Sequence, residues 1–128
     1  RLVVFDSGND ESAERWLRMV DSSFQLVIPT LTAPESAESA ALLLDALRRR
    51  DERSHSLATN AVVVVTQSER SSIRDVHHIA ARFAPLVRSV AIVPFDPALK
   101  SGPIRHDALR PATREAWLQV AAAAASQL

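Results

Sequence analysis

Asp6, Ser7, Gly8, Asn9 and Asp10 follow directly on the apolar run Leu2-Val3-Val4-Phe5. A carboxylate delivered at the end of a buried strand can hold Mg²⁺ through water, because Mg²⁺ keeps much of its hydration. A glycine two residues on lets a backbone N–H approach a phosphate closely. The same residues have a plainer use. Asp6 and Asp10 can cap the helix that follows, and Asp-x-Gly is a common turn. Three other polar clusters follow apolar runs in the same way: Thr30-Leu31-Thr32-Ala33-Pro34, Thr66-Gln67-Ser68-Glu69-Arg70 and Pro94-Phe95-Asp96-Pro97. If the runs are parallel strands, all four clusters meet at one edge of a sheet, where open α/β folds take their ligands.

Other chemistries find no support. The chain has no cysteine, so disulfides and thiolate catalysis are excluded. His77-His78 are adjacent and lack the i, i+4 spacing of a helical metal pair. Ser7, His106 and Asp107 come without a Gly-x-Ser-x-Gly elbow, which speaks against a hydrolase. Arg48-Arg49-Arg50 with Arg53 reads either as a solvated helix end, diluted by Asp45, Asp51 and Glu52, or as a surface for nonspecific DNA.

The elements that would carry these residues are four short runs: Leu2 to Phe5, Gln25 to Pro29, Ala61 to Thr66 and Ser89 to Val93. Each is dominated by Val, Ile or Leu without polar alternation, as expected of strands buried on both faces. Between them lie helical patterns. Ala13, Trp16, Leu17 and Val20 share one helix face. Thr32-Ala33-Pro34-Glu35 offers a capping box with proline in the first turn. The stripe Ala37, Ala40, Leu44, Leu47 follows, and arginines close the helix. A third helix starts near Ser71 or Ser72, buries Ile73, Val76, Ala80 and Phe83, and stops before Pro85. The last runs from Pro111 through Trp117 to the tract Ala121 to Ala125. Both tryptophans are expected in core or helix–helix packing, with an exposed interface patch as the alternative.

The predicted fold is α/β, a parallel four-stranded sheet flanked by helices in the order βαβαβαβ, loop, α, forming a single domain over 1–128. With 128 residues, 47% of them hydrophobic and 23% charged, the chain can bury one core. Formal net charge is zero, so overall charge argues for no polyanionic partner. No apolar run is long enough for a membrane span, and the tail Glu115 to Leu128 lacks the Lys and Arg of a basic amphipathic anchor. No membrane association and a cytoplasmic location are the expectation. Beginning at Arg1 rather than Met, the chain is expected to be part of something longer.

Val3-Val4-Phe5-Asp6-Ser7-Gly8-Asn9-Asp10, Pro29-Thr30-Leu31-Thr32-Ala33-Pro34-Glu35-Ser36 and Val93-Pro94-Phe95-Asp96-Pro97, in this order and spacing, resemble the C-terminal half of a MinD/ParA-type ATPase. That family belongs to the deviant-Walker class of P-loop proteins. The chain resembles in particular the MinD-like proteins associated with actinobacterial type VII secretion, and the likeness runs along nearly all of it. It implies an ATP- and Mg²⁺-dependent dimerising switch with an incomplete P-loop NTPase-like fold here. Asp6 matches the switch II aspartate that reaches the magnesium through water and serves catalysis. Ser7, Gly8 and Asn9 match the loop that senses the γ-phosphate, although the family's Asp-x-x-Gly sets its glycine one residue later than Gly8. Gln67 stands near the position of an adenine-reading asparagine. Pro94, Phe95 and Asp96 match the loop against base and ribose. The implied partners are a second copy or an N-terminal half, together with a secretion or partition component.

The family's glycine- and lysine-rich phosphate loop has no counterpart, since the chain holds two glycines, Gly8 and Gly102, and one lysine, Lys100. No bound cofactor and no MgATP turnover are expected of this chain alone. The strand that carries that loop in the family lies between the first two strands read here. Its absence predicts either that Leu2 to Phe5 pairs directly with Gln25 to Pro29 or that a partner segment fills the gap. Each backbone group buried there unpaired would cost about 1–3 kcal/mol.

Overall fold

The computed structural model describes residues 2–8 and 13–128. In chain order the elements are α1 (Glu14–Asp21), β1 (Val27–Leu31), α2 (Pro34–Arg50), α3 (Glu52–Thr59), β2 (Val62–Thr66), α4 (Ile73–Phe83), β3 (Ser89–Val93) and α5 (Pro111–Ala125). The strands form a parallel sheet in the order β1-β2-β3, with Val27 opposite Val62 and Val62 opposite Ser89. Two crossovers that step in the same direction, each right-handed, put their helices on one face.

That face holds the larger core. Ile28, Val63 and Val65 meet Trp16 and Val20 of α1, Ala37, Ala40, Leu44 and Leu47 of α2, Leu57 of α3, and Val76 and Phe83 of α4. The helical stripes expected over α1 and α2 are the ones buried. On the opposite face α5 lays Ala116 and Val120 over Val62, Val64 and Val93. β2 is therefore buried on both faces, whereas β1 alternates: Ile28 and Thr30 are buried, while Val27, Pro29 and Leu31 are exposed. In register, those three lie on the α5 side beside Val62, Val64 and Thr66, beyond the helix's cover.

The sheet has three strands, not four. Leu2 to Phe5 makes no ladder with β1, and its side chains are exposed, Val4 by 83%. β-branched composition supplied the propensity, but a strand needs a neighbour to pair with and a face to bury. Direct pairing of Leu2 to Phe5 with β1, the first of the two expected resolutions, does not occur. Among the described residues no strand pairs with the outer edge of β1. Val62 donates its N–H to Leu26 O at 3.0 Å, which turns the backbone of Leu26, Ile28 and Thr30 toward β2 and that of Val27, Pro29 and Leu31 outward. Of the outward groups, Pro29 has no N–H, and the N–H of Leu31 is taken by Ser36 Oγ at 2.9 Å.

Three local readings are also revised. Thr32 does not cap α2. The N-cap is Ala33, without a side-chain bond, and the Thr32 hydroxyl reaches Ser68 instead. An additional helix, α3, begins where Asp51 turns extended (φ −166°, ψ 174°) and accepts the N–H of Ser54 at 2.7 Å. Ile73 is 58% exposed, so the buried face of α4 is Val76 and Phe83.

Candidate functional site

The three strands end at Leu31, Thr66 and Val93, and the loops that follow share one edge. Two of them are fastened by hydroxyls. Thr32 donates from its N–H (3.2 Å) and its Oγ1 (2.9 Å) to Ser68 Oγ, and Ser68 N–H returns a bond to Thr32 Oγ1 at 3.2 Å. Beside them Thr30 Oγ1 and Ser36 Oγ stand 3.1 Å apart. The backbone N–H of Gln67 donates to Val93 O at 2.9 Å and so extends the pairing of β2 with β3 by one residue. Its side-chain amide donates to Glu69 O (2.9 Å) and Arg70 O (3.2 Å), which stiffens the loop and leaves the amide oxygen as the acceptor not used there.

Past Val93, Pro94 and Phe95 are half-buried. The Phe95 ring has two cations over it: the Arg70 guanidinium 5.4 Å from the ring centroid and the Lys100 ammonium at 5.7 Å. Each such contact contributes about 0.5–1 kcal/mol at an exposed position. A ring, two cations and the Gln67 amide thus occupy neighbouring loops. Sequence reasoning placed Arg70 at the ligand edge without giving it a role and missed Lys100. Their signal was present, since a lone lysine and a loop arginine both lie close to the strand ends.

Asp96 is turned inward and is only 3% exposed. Its Oδ1 accepts the N–H of Ala98 at 2.9 Å. Its Oδ2 accepts the N–H of Arg110 at 2.9 Å and the hydroxyl of Thr113 at 2.8 Å. One carboxylate therefore caps the short 3₁₀ turn Pro97–Leu99 and fastens the start of α5, closing the loop between them. The Arg110 N–H is the chief reason its carboxyl lies below the usual aspartate range. Burial opposes the shift, and the Ala98 N–H, the Thr113 hydroxyl and the Arg110 charge add to it. Asp96 positions Phe95 and the loop rather than offering an open carboxylate.

Asp6, Ser7 and Gly8 form a separate group beside α1. With Ala13, Arg15, Trp16 and Met19 they line an open cavity of about 530 Å³. Gly8 adopts φ +70°, a conformation that favours glycine. Its N–H donates to Asp6 Oδ1 at 3.4 Å, and its carbonyl accepts the indole N–H of the buried Trp16 at 3.2 Å. Among the described residues no hydrogen bond joins this group to the loops after β1, β2 or β3. Asn9 and Asp10 lie outside the described residues. No group of three or more His, Cys, Asp or Glu side chains able to hold a metal occurs among the described residues.

The arginines of the last turn of α2 and of the start of α3 are mostly engaged within the fold. Arg50 grips Asp21 with two bonds, 2.7 and 2.9 Å, and holds that carboxyl below its usual range. Arg53 donates to Val20 O (2.8 Å) and Ser23 O (2.6 Å) at the end of α1, and Arg48 donates to Leu86 O. Arg49 pairs with Asp45 on the same helix at 3.2 Å. Trp117, unlike Trp16, is 38% exposed. No helix among the described residues is long and apolar enough to cross a membrane. Comparison of the chain with protein-family models, with curated proteins and with solved structures gave no match.

Proposed function

We propose that this chain is the C-terminal portion of a MinD/ParA-like switch that dimerises in response to an adenine nucleotide, serving type VII secretion or partitioning. The observation that carries the reading is the cluster at the sheet edge, where the Arg70 and Lys100 cations stand near the Phe95 ring beside the Gln67 loop. An aromatic ring offers a stacking face to a base, the two cations suit an anionic ligand, and the Gln67 oxygen can accept from an exocyclic amine. The ring and the amide support a reading of base recognition. The residues present do not fit a triphosphate, which needs successive backbone N–H groups in a glycine-rich strand-to-helix turn, and neither Gly8 nor Gly102 belongs to one. The proposal for this chain is therefore recognition, and no hydrolytic step is assigned to it. Asp6 is the residue that would face a magnesium ion through water.

A titration with MgADP followed by amide chemical shifts tests this. The expected outcome is weak binding, a Kd of about 1 mM or higher. The shifts should gather at Gln67, Arg70, Phe95 and Lys100, vanish in Phe95→Ala, and come without MgATP turnover. Equal shifts with pyrophosphate alone would reduce the site to an anion patch, and no response at those amides would reject the reading. A second reading, a nonenzymatic interaction domain, is favoured by one feature, the exposed apolar side of α5.

A further inference from the structure

α5 is apolar on two sides. Its inner stripe, Thr113, Ala116 and Val120, is buried against the sheet. A second stripe, Arg114, Trp117, Leu118 and Ala121, follows at i, i+3, i+4 and i+7 and lines an open groove of about 540 Å³ beside Ile104. Trp117, Leu118 and Ile104 are 38%, 65% and 64% exposed. A surface helix ordinarily carries charge on the side away from the core. Past Glu115, however, α5 has no charged side chain. Arg114, half-buried, is the one cation of this stripe.

We infer that this side of α5 is a contact between two copies of the chain, with the two helices packed antiparallel about a two-fold axis near Ala121. The sequence of the stripe is complementary to itself in that arrangement and in no parallel one. The bulky residues, Trp117 and Leu118, lie before the axis, and only alanines, at 124 and 125, lie at the matching distance beyond it. Antiparallel pairing about Ala121 sets Trp117 over the partner's Ala125 and Leu118 over the partner's Ala124, so large side chains fill the space left by small ones. Alanine at the crossing permits the close approach this needs. The same pairing sets Arg114 opposite the partner's Leu128, just past the last turn of the partner's α5. That turn presents the negative end of the helix dipole and contains no basic residue of its own. The contact accounts for the apolar stripe. It lies on the face of the sheet covered by α5 and requires no nucleotide.

The absence of cysteine makes the test direct. In Ala121→Cys the two introduced thiols lie across the axis, so mild oxidation should give a covalent dimer within minutes, while Ser71→Cys, on an exposed turn away from α5, stays monomeric. Sedimentation equilibrium of the unmodified chain should show a concentration-dependent doubling of mass. Arg114→Glu and Leu118→Arg should each abolish it while leaving the far-UV circular dichroism unchanged, and Arg114→Lys should retain part of it. A chain that remains monomeric at about 1 mM, the weak end of specific association, overturns the proposal. So does Ala121→Cys oxidising no faster than Ser71→Cys.

Discussion

At the scale of single residues, Asp96 is the group whose role changes most between sequence and structure. In the sequence it stands at a strand end, where a carboxylate reads as a ligand contact. In the structure its partners are the N–H of Arg110 and the hydroxyl of Thr113, 14 and 17 residues further on. A bond across that separation cannot be seen in a local pattern. The part that was legible, Asp followed by Pro, is itself a cap signature. The consequence is a pH dependence of defined sign. Hydrogen bonds to the ionised form depress the folded-state pKa, so Asp96 contributes stability above the unfolded value of about 3.9, and that stability is lost as pH falls through the lower folded value. Asp96→Asn should lower the thermal midpoint at neutral pH and make its decline below about pH 4 shallower than in the parent. Thermal melts across that range measure both. Trp16 gives the opposite lesson. Helical spacing alone placed it in the core, and only its indole bond to Gly8 was hidden.

At the scale of elements, the periodic segments were the readable ones. The stripes of α1 and α2 and the three apolar runs of the sheet carry their period in the sequence. Two elements were misread for physical reasons. α3 was invisible because residues 48–53 form one charged run, and the break at Asp51 is a backbone turn with no glycine or proline to mark it. Leu2 to Phe5 has strand composition without a ladder, and propensity alone does not make a strand. If that segment contributes nothing to the fold, Val4→Asp should change the unfolding free energy by less than about 0.5 kcal/mol. Phe83→Ala, emptying a fully buried site under α4, should cost about 3–5 kcal/mol. Urea unfolding of the two variants checks the contrast, and a large loss in Val4→Asp would show that the segment is packed after all.

At the scale of the molecule, the order of elements predicted an α/β class and a parallel sheet, and both are present. How the helices divide between the faces was not predicted, because it depends on the path of the loop between β3 and α5, which Asp96 fastens. The result is an uneven sandwich, thick over one face and covered only at β2 and β3 on the other. The uncovered strip ends at β1, an edge with exposed apolar side chains of the kind that recruits other chains and grows into fibrils. Pro29 and the Ser36 hydroxyl stand at that edge and leave an incoming strand with broken ladder positions. Pro29→Val combined with Ser36→Ala should therefore shorten the lag before thioflavin-positive aggregates appear at an unchanged melting temperature. A proline and a serine hydroxyl, neither of them buried in the core, would then decide whether this protein persists in solution as separate molecules.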